Sequence, residues 1–198
     1  MTTLESRLRS VVAALDAAGV GCALVGGLAV SIRTEPRFTR DADLAVAVAS
    51  DSEAEALIRQ LRGAGHEVQA LVEQDAVGRL ATVRLGDAAD AGASVVDLLF
   101  ASSGIEHELV RDAEFLEVLP GLTMRVARTG YLIALKVLSR NDIERPQDII
   151  DLRALLTVAL SADIDCARQA LDDITSRGFQ RGKDLRADLD ELLGSSEP

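Results

Sequence analysis

Apolar runs of four to seven residues, bounded by glycine or polar clusters, alternate with helical periodicity up to about residue 125; beyond it only helical periodicity remains. Short bounded runs read as strands, and 3.6-residue spacing reads as amphipathic helix. One switch of pattern therefore predicts an α+β chain. A small mixed β-sheet with helices packed on it occupies residues 1–125, and a C-terminal helical bundle over 126–198 closes a cleft against it.

In detail, Leu4, Leu8, Val11, Val12 and Leu15 predict a helix over 4–18, capped by Thr2 with Glu5 and ended by Gly19 and Gly21. Residues 22–25 read as a buried strand broken by Gly26-Gly27, followed by a helix over 28–33 and a loop over 34–40. Residues 44–48 are apolar on both faces, as in a central strand. Ser50 and Glu53 form a second capping box, opening a helix that turns Ala54, Leu57, Ile58 and Leu61 inward before Gly63 and Gly65. Strands follow at 66–72, 79–85 and 94–100, with a loop at 86–93. Helices are predicted at 128–139, 146–160, 163–177 and 182–193, with a frayed end at 194–198.

Composition narrows the function. Apolar residues make up 48% of the 198, enough for a core, but aromatics are 3%, so that core rests on Ala, Val, Leu and Ile. The net charge of −11 gives no long-range attraction to nucleic acid, so an RNA substrate would need a local basic patch. Cys22 and Cys166 belong to no CxxC pair and read as buried thiols in a reducing compartment. With no signal-peptide pattern and no run near the ~18 apolar residues of a membrane span, a soluble cytoplasmic protein is expected. His66 and His107 are isolated and receive no role.

The chemistry concentrates where Gly26-Gly27 precedes Asp41-Ala42-Asp43 by thirteen residues. Paired glycine between strand and helix lets backbone approach a ligand, and the helix start offers N–H groups to a phosphate. Asp41 and Asp43, two apart at a strand start, point to one sheet face. Crowded carboxylates need compensation, which divalent cations supply; a solvated loop end is the plain alternative. Asp97 lies inside the apolar run Ser94 to Phe100, where an acid is costly without partners. Placed beside Asp43, it would complete a two-metal phosphoryl-transfer cluster.

Gly26-Gly27, Asp41-x-Asp43 and Asp97 in an apolar strand resemble the polymerase-beta-like nucleotidyltransferase superfamily. The wider run Gly-Gly-Leu-Ala, Arg33, Thr39-Arg40-Asp41-Ala42-Asp43-Leu44, with Lys136 and the Arg145-x-x-Asp148-x-x-Asp151 pattern, is similar to its abortive-infection toxin branch. The resemblance implies transfer of a nucleoside monophosphate from an NTP, with Mg²⁺ (Mn²⁺ as the alternative) held by Asp41, Asp43 and Asp97. It implies a nucleic-acid acceptor, the 3′ end of tRNA, with growth arrest as outcome and a cognate antitoxin as partner. It also places an acid of the last motif in the active site, carried here onto Asp151 ahead of Asp148.

Read without the family, Tyr131 to Leu138 is apolar all round except for Lys136, whose ammonium needs a partner or a ligand. A triphosphate across the cleft fits, a snorkelling lysine being the alternative. Asp148, in a first turn opened by Pro146, could merely meet the helix dipole or serve the nucleotide; Asp151 is one turn deeper. Arg33, Arg37 and Arg40 form a basic stretch suited to phosphate or to an RNA backbone, with Arg40 assigned to the nucleotide. Thr39 is placed to contact phosphate or to be modified by the enzyme itself. The competing readings are nucleotidylation of a small cationic acceptor such as an aminoglycoside, nucleotidylation of a protein, or a non-catalytic module on this fold.

Overall fold

A seven-stranded mixed sheet, ordered β3-β4-β5-β2-β1-β7-β6, forms the spine of the molecule. The computed structural model describes residues 4–37, 39–74, 79–86, 94–141 and 146–194. The strands are β1 (Cys22–Val25), β2 (Asp41–Val46), β3 (Val68–Gln74), β4 (Arg79–Leu85), β5 (Val95–Leu99), β6 (Glu114–Leu119) and β7 (Leu122–Val126). The helices are α1 (Leu4–Ala17), α2 (Gly26–Arg33), α3 (Asp51–Gly63), α4 (Glu106–Asp112), α5 (Thr129–Ser139), α6 (Pro146–Val158), α7 (Ser161–Ser176) and α8 (Leu185–Gly194). Thr2, residues 87–93, Arg145 and residues 195–198, about which the sequence carried expectations, lie outside the described residues.

The two-residue period of the strands divides the sheet chemically. Ala42, Leu44 and Val46 of β2, Val96 and Leu98 of β5, and Val83 and Leu85 of β4 are all buried on one face. Helices α1, α3 and α4 pack against these strands. The alternate positions Asp41, Asp43, Asp97, Leu99, Thr82 and Arg84 face an open cavity on the other side. The α+β architecture expected from the pattern switch is therefore present, with α5 packed on α6 and α7 beyond the sheet.

Several elements differ from expectation. Strand β2 begins at Asp41 rather than residue 44, because its pairing with β5 extends through both acids. Helix α2 begins at Gly26, whose φ of +63° makes the turn out of β1. The region 101–125, left without assignment by the sequence, supplies α4 and the β6–β7 hairpin, which joins the sheet where Leu24 meets Val126. At α3 the Ser50 side chain accepts from the Glu53 N–H at 3.3 Å, but the Glu53 carboxylate reaches back to Ala49 N–H rather than to Ser50. Both cysteines are free thiols; Cys22 is buried, which pushes its pKa up to about 12, whereas Cys166 is half-buried. Among the described residues no helix is long and apolar enough to cross a membrane.

Candidate active site

Parallel pairing of β2 with β5 puts Asp43 directly opposite Asp97, with Asp41 opposite Val95 on the same strand. Asp43 also pairs across β1 with Val25, the last residue before the Gly26-Gly27 turn. The turn is pressed against the acid: a Cβ on Gly26 would sit 1.8 Å from Oδ2 of Asp43. Only glycine satisfies both that approach and the left-handed backbone. Gly26→Ala is expected to cost about 2 kcal/mol or more in stability, by clash and backbone strain together. Because it displaces Asp43, transfer should fall more than melting temperature alone explains, which parallel melting and activity assays would show.

These residues line a cavity of about 810 Å³ between the sheet and helices α5 and α6. That volume lies within the range of ligand pockets. Gly26, Gly27, Thr39, Asp41, Asp43, Asp97, Lys136 and Asp148 all line it. Arg40 is exposed and is not among the lining residues. Asp151, which the sequence put ahead of Asp148, lies outside the lining and is 1% exposed, whereas Asp148 lines the cavity. Thr39 Oγ1 donates to the Asp41 carbonyl at 3.1 Å, bracing the start of β2.

Lys136 has protein partners. Its Nζ lies 2.7 Å from Oδ1 of Asp148 and 2.8 Å from Oδ2 of Asp151. Arg37 completes the cluster with two bonds to Asp151, at 3.1 and 2.9 Å, and its guanidinium covers Gly27. Within this group of four described residues, the two cations balance the two carboxylates. Arg33 is not at the cleft. It bonds the Ala127 and Val126 carbonyls at 3.1 Å and Glu114 at 2.7 Å, fastening α2 to the β7–α5 link. Of the basic stretch expected to face RNA, Arg33 fastens α2, Arg37 lines the cavity while bonding Asp151, and Arg40 is exposed outside the lining.

The family described as "Nucleotidyl transferase AbiEii toxin, Type IV TA system" matches residues 10–195. The chain belongs to the AbiEii family. Among curated proteins no match is found. Solved structures with the same fold include the antibiotic-resistance factor ANT(2'')-Ia in solution, with TM-score 0.52, 18% identity and 95% of each chain covered. ANT(2'')-Ia in complex with adenylyl-2''-tobramycin gives TM-score 0.53 and 18% identity, covering 87% of this chain and 97% of that one. The lincomycin-bound lincosamide adenylyltransferase LnuA gives TM-score 0.50 and 11% identity, covering 80% and 100%. The chain is thus a nucleotidyltransferase of the AbiEii toxin family on a nucleotidyltransferase fold.

The cavity also holds residues that sequence reading missed, Arg84 foremost among them. Arg84 lies opposite Asp97 across β4–β5 and bonds both its oxygens, at 2.8 and 2.7 Å. The bond to Asp97, with the charges of Asp97, Asp41 and Asp43, outweighs desolvation and raises the Arg84 pKa. Its only signal in the sequence was alternation in a strand, which a solvated arginine also satisfies. Asp41, Asp43, Asp97 and Arg84 together carry a charge of −2, which one divalent cation balances. The donors are carboxylate oxygens without His or Cys, a set suited to Mg²⁺ or Mn²⁺. Among the described residues no three His, Cys, Asp or Glu side chains converge on one point, and Asp97 is held by Arg84.

Burial raises the Asp151 pKa, but hydrogen bonds from Lys136, Gln147 and Arg37 with the Lys136 charge outweigh it and hold the carboxyl below its ordinary value. A depressed folded pKa contributes stability above the unfolded value of about 3.9, and that stability is lost as pH falls through the folded value. Wild type should therefore lose stability more steeply below about pH 4 than Asp151→Asn, as denaturant unfolding across a pH series would measure.

Proposed function

We propose that this chain uses a divalent metal, Mg²⁺ or Mn²⁺, to move a nucleoside monophosphate from an NTP onto the 3′-terminal hydroxyl of tRNA, as the growth-inhibiting partner of an antitoxin. The observation that carries the reading is Asp43 in register with Asp97, with Asp41 on the same face, beneath the Gly26-Gly27 helix start. Asp41, Asp43 and Asp97 would hold the cation, which when bound neutralises them and polarises the phosphate. The start of α2 points its N–H groups at the triphosphate. Asp97, at the β4 side, would take the proton of the attacking hydroxyl. The new bond forms between that oxygen and the α-phosphorus, and the bond to the bridging oxygen breaks, releasing pyrophosphate. Arg84, whose side chain is 45% exposed, can yield Asp97 when the cation's charge replaces its own. The Lys136–Asp148–Asp151–Arg37 cluster holds α5 and α6 in place and presents Lys136 and Asp148 to the nucleotide; Asp151 positions Lys136 and Arg37 from behind.

A second reading, transfer onto a cationic small molecule, is favoured by the net charge of −11. Incubation with labelled nucleotides, Mg²⁺ and either total RNA or an aminoglycoside separates the two. Label on the RNA end supports the first reading; label confined to the small molecule supports the second. No transfer to either overturns both.

A further inference from the structure

Arg181 is the one non-glycine residue with positive φ among the described residues, at +55°. The left-handed region crowds any Cβ, and its neighbours in the same turn, Gly178 and Gly182, meet it with glycine. A residue kept there at steric cost, where glycine is already used nearby, calls for a use of its side chain. Arg181 lines the cavity beside Ser102 and Ser103, at the end reached by the chain leaving β5.

The α7–α8 turn that carries it is fastened on both sides. Arg177 bonds the Gly104 carbonyl and pairs with Glu108, and Phe179 packs where a Cβ on Gly104 would be only 2.6 Å away. On the other side Lys183 donates to the Leu138 and Arg140 carbonyls at 2.9 and 2.6 Å, at the end of α5. The Arg181 Nη2 donates to the Ser102 carbonyl at 2.9 Å. That carbonyl belongs to a turn fixed by buried Glu106, which accepts from the backbone N–H and the hydroxyl of both Ser102 and Ser103. A guanidinium is thus preorganised at the cavity wall by a rigid frame reaching from β5 to α5, as a binding site requires.

The chemistry it would recognise follows from charge. Among the described residues the charges of Lys136 and Arg37 are matched by Asp148 and Asp151, and the sheet floor is acidic. A phosphate-bearing substrate entering this cavity needs positive charge from elsewhere on the wall, and a fork of N–H donors suits phosphate oxygens. We infer that Arg181, set in place by Ser102 and Glu106, forms a phosphate-binding subsite for the transfer reaction. The inference rests on the nucleotidyl-transfer reading above. The phosphate belongs either to the nucleoside triphosphate or to the backbone of an RNA acceptor.

The test is Arg181→Gly, which removes the guanidinium and relieves the backbone, with Arg181→Asn as a second variant that also tolerates the left-handed conformation. Calorimetric titration with ATP, Michaelis kinetics for ATP and total RNA, and thermal melting are compared with wild type. Expected are a melting temperature within a few degrees of wild type and a rise of roughly tenfold or more in one Kd or KM, with kcat changed much less. A rise for ATP assigns the phosphate to the nucleotide. A rise for RNA, with the salt slope of binding reduced by about 1, assigns it to the acceptor. Arg181→Lys, which keeps charge but not the fork, should recover part of the loss. If Gly and Asn variants bind both substrates as wild type does, or lose only stability, the subsite is overturned alone. If wild type neither binds nor transfers nucleotide, the transfer reading fails and the subsite with it.

Discussion

Asp43→Asn should lower nucleotidyl transfer by about a thousandfold or more while leaving the fold intact. Asn has the shape of Asp, so it still fits against Gly26, where a Cβ would have come within 1.8 Å of the side-chain oxygen. What it removes is one negative charge from a face shared with Asp41 and Asp97. Metal-free, that loss relieves repulsion, and the melting temperature should hold or rise slightly. In Mg²⁺ the order should reverse. A cation binding only the folded state stabilises wild type in proportion to the logarithm of its concentration, and the variant should gain much less. Release of pyrophosphate together with melting across a Mg²⁺ series reads both effects. A variant keeping even a tenth of wild-type turnover, or gaining as much from Mg²⁺, would remove Asp43 from the cation site.

The acids were legible because each broke a local rule. Asp97 sat in an apolar strand, Asp41 and Asp43 shared a strand face, and the parallel register of β2 with β5 places them as that rule-breaking suggested. Gly26 and Gly27 were legible for the same reason, two flexible residues where a strand meets a helix. Arg84 broke no rule, since an arginine alternating with Ala81, Val83 and Leu85 is what an amphipathic strand shows. Only the cross-strand register reveals that it faces Asp97. The β6–β7 hairpin was hidden similarly: as a sheet-edge ribbon with Glu114, Phe115 and Glu117 partly or largely exposed, it lacks the apolar runs of a central strand. In the sequence Lys136 is a charge in need of a partner or a ligand, Asp148 an acid that the helix dipole could explain, and Asp151 one a turn too deep for that. That each answers the other depends on how α5 packs against α6, which no single-helix period encodes.

That pairing reverses what the sequence alone suggests for Lys136→Met. A lone lysine in an apolar helix, facing a substrate, would be replaced by methionine without loss of stability. Here its ammonium lies between Asp148 and Asp151, which are 2% and 1% exposed. Removing one partner of a buried ionic set leaves the other charges desolvated, at a cost of about 3–5 kcal/mol. For a chain of this size the melting temperature should fall by on the order of 10 °C. Arg37 limits the damage at Asp151 through its own two bonds, so Asp148→Asn added to Lys136→Met should restore most of the lost stability. The double variant then separates the two roles of the lysine. Stable but unable to bind ATP, it would show that Lys136 serves the nucleotide as well as the fold; stable and binding normally, it would confine Lys136 to holding α5 against α6. A single Lys136→Met variant melting within about 2 °C of wild type would mean that the ammonium is not the counter-ion of these acids, and that water reaches the cluster.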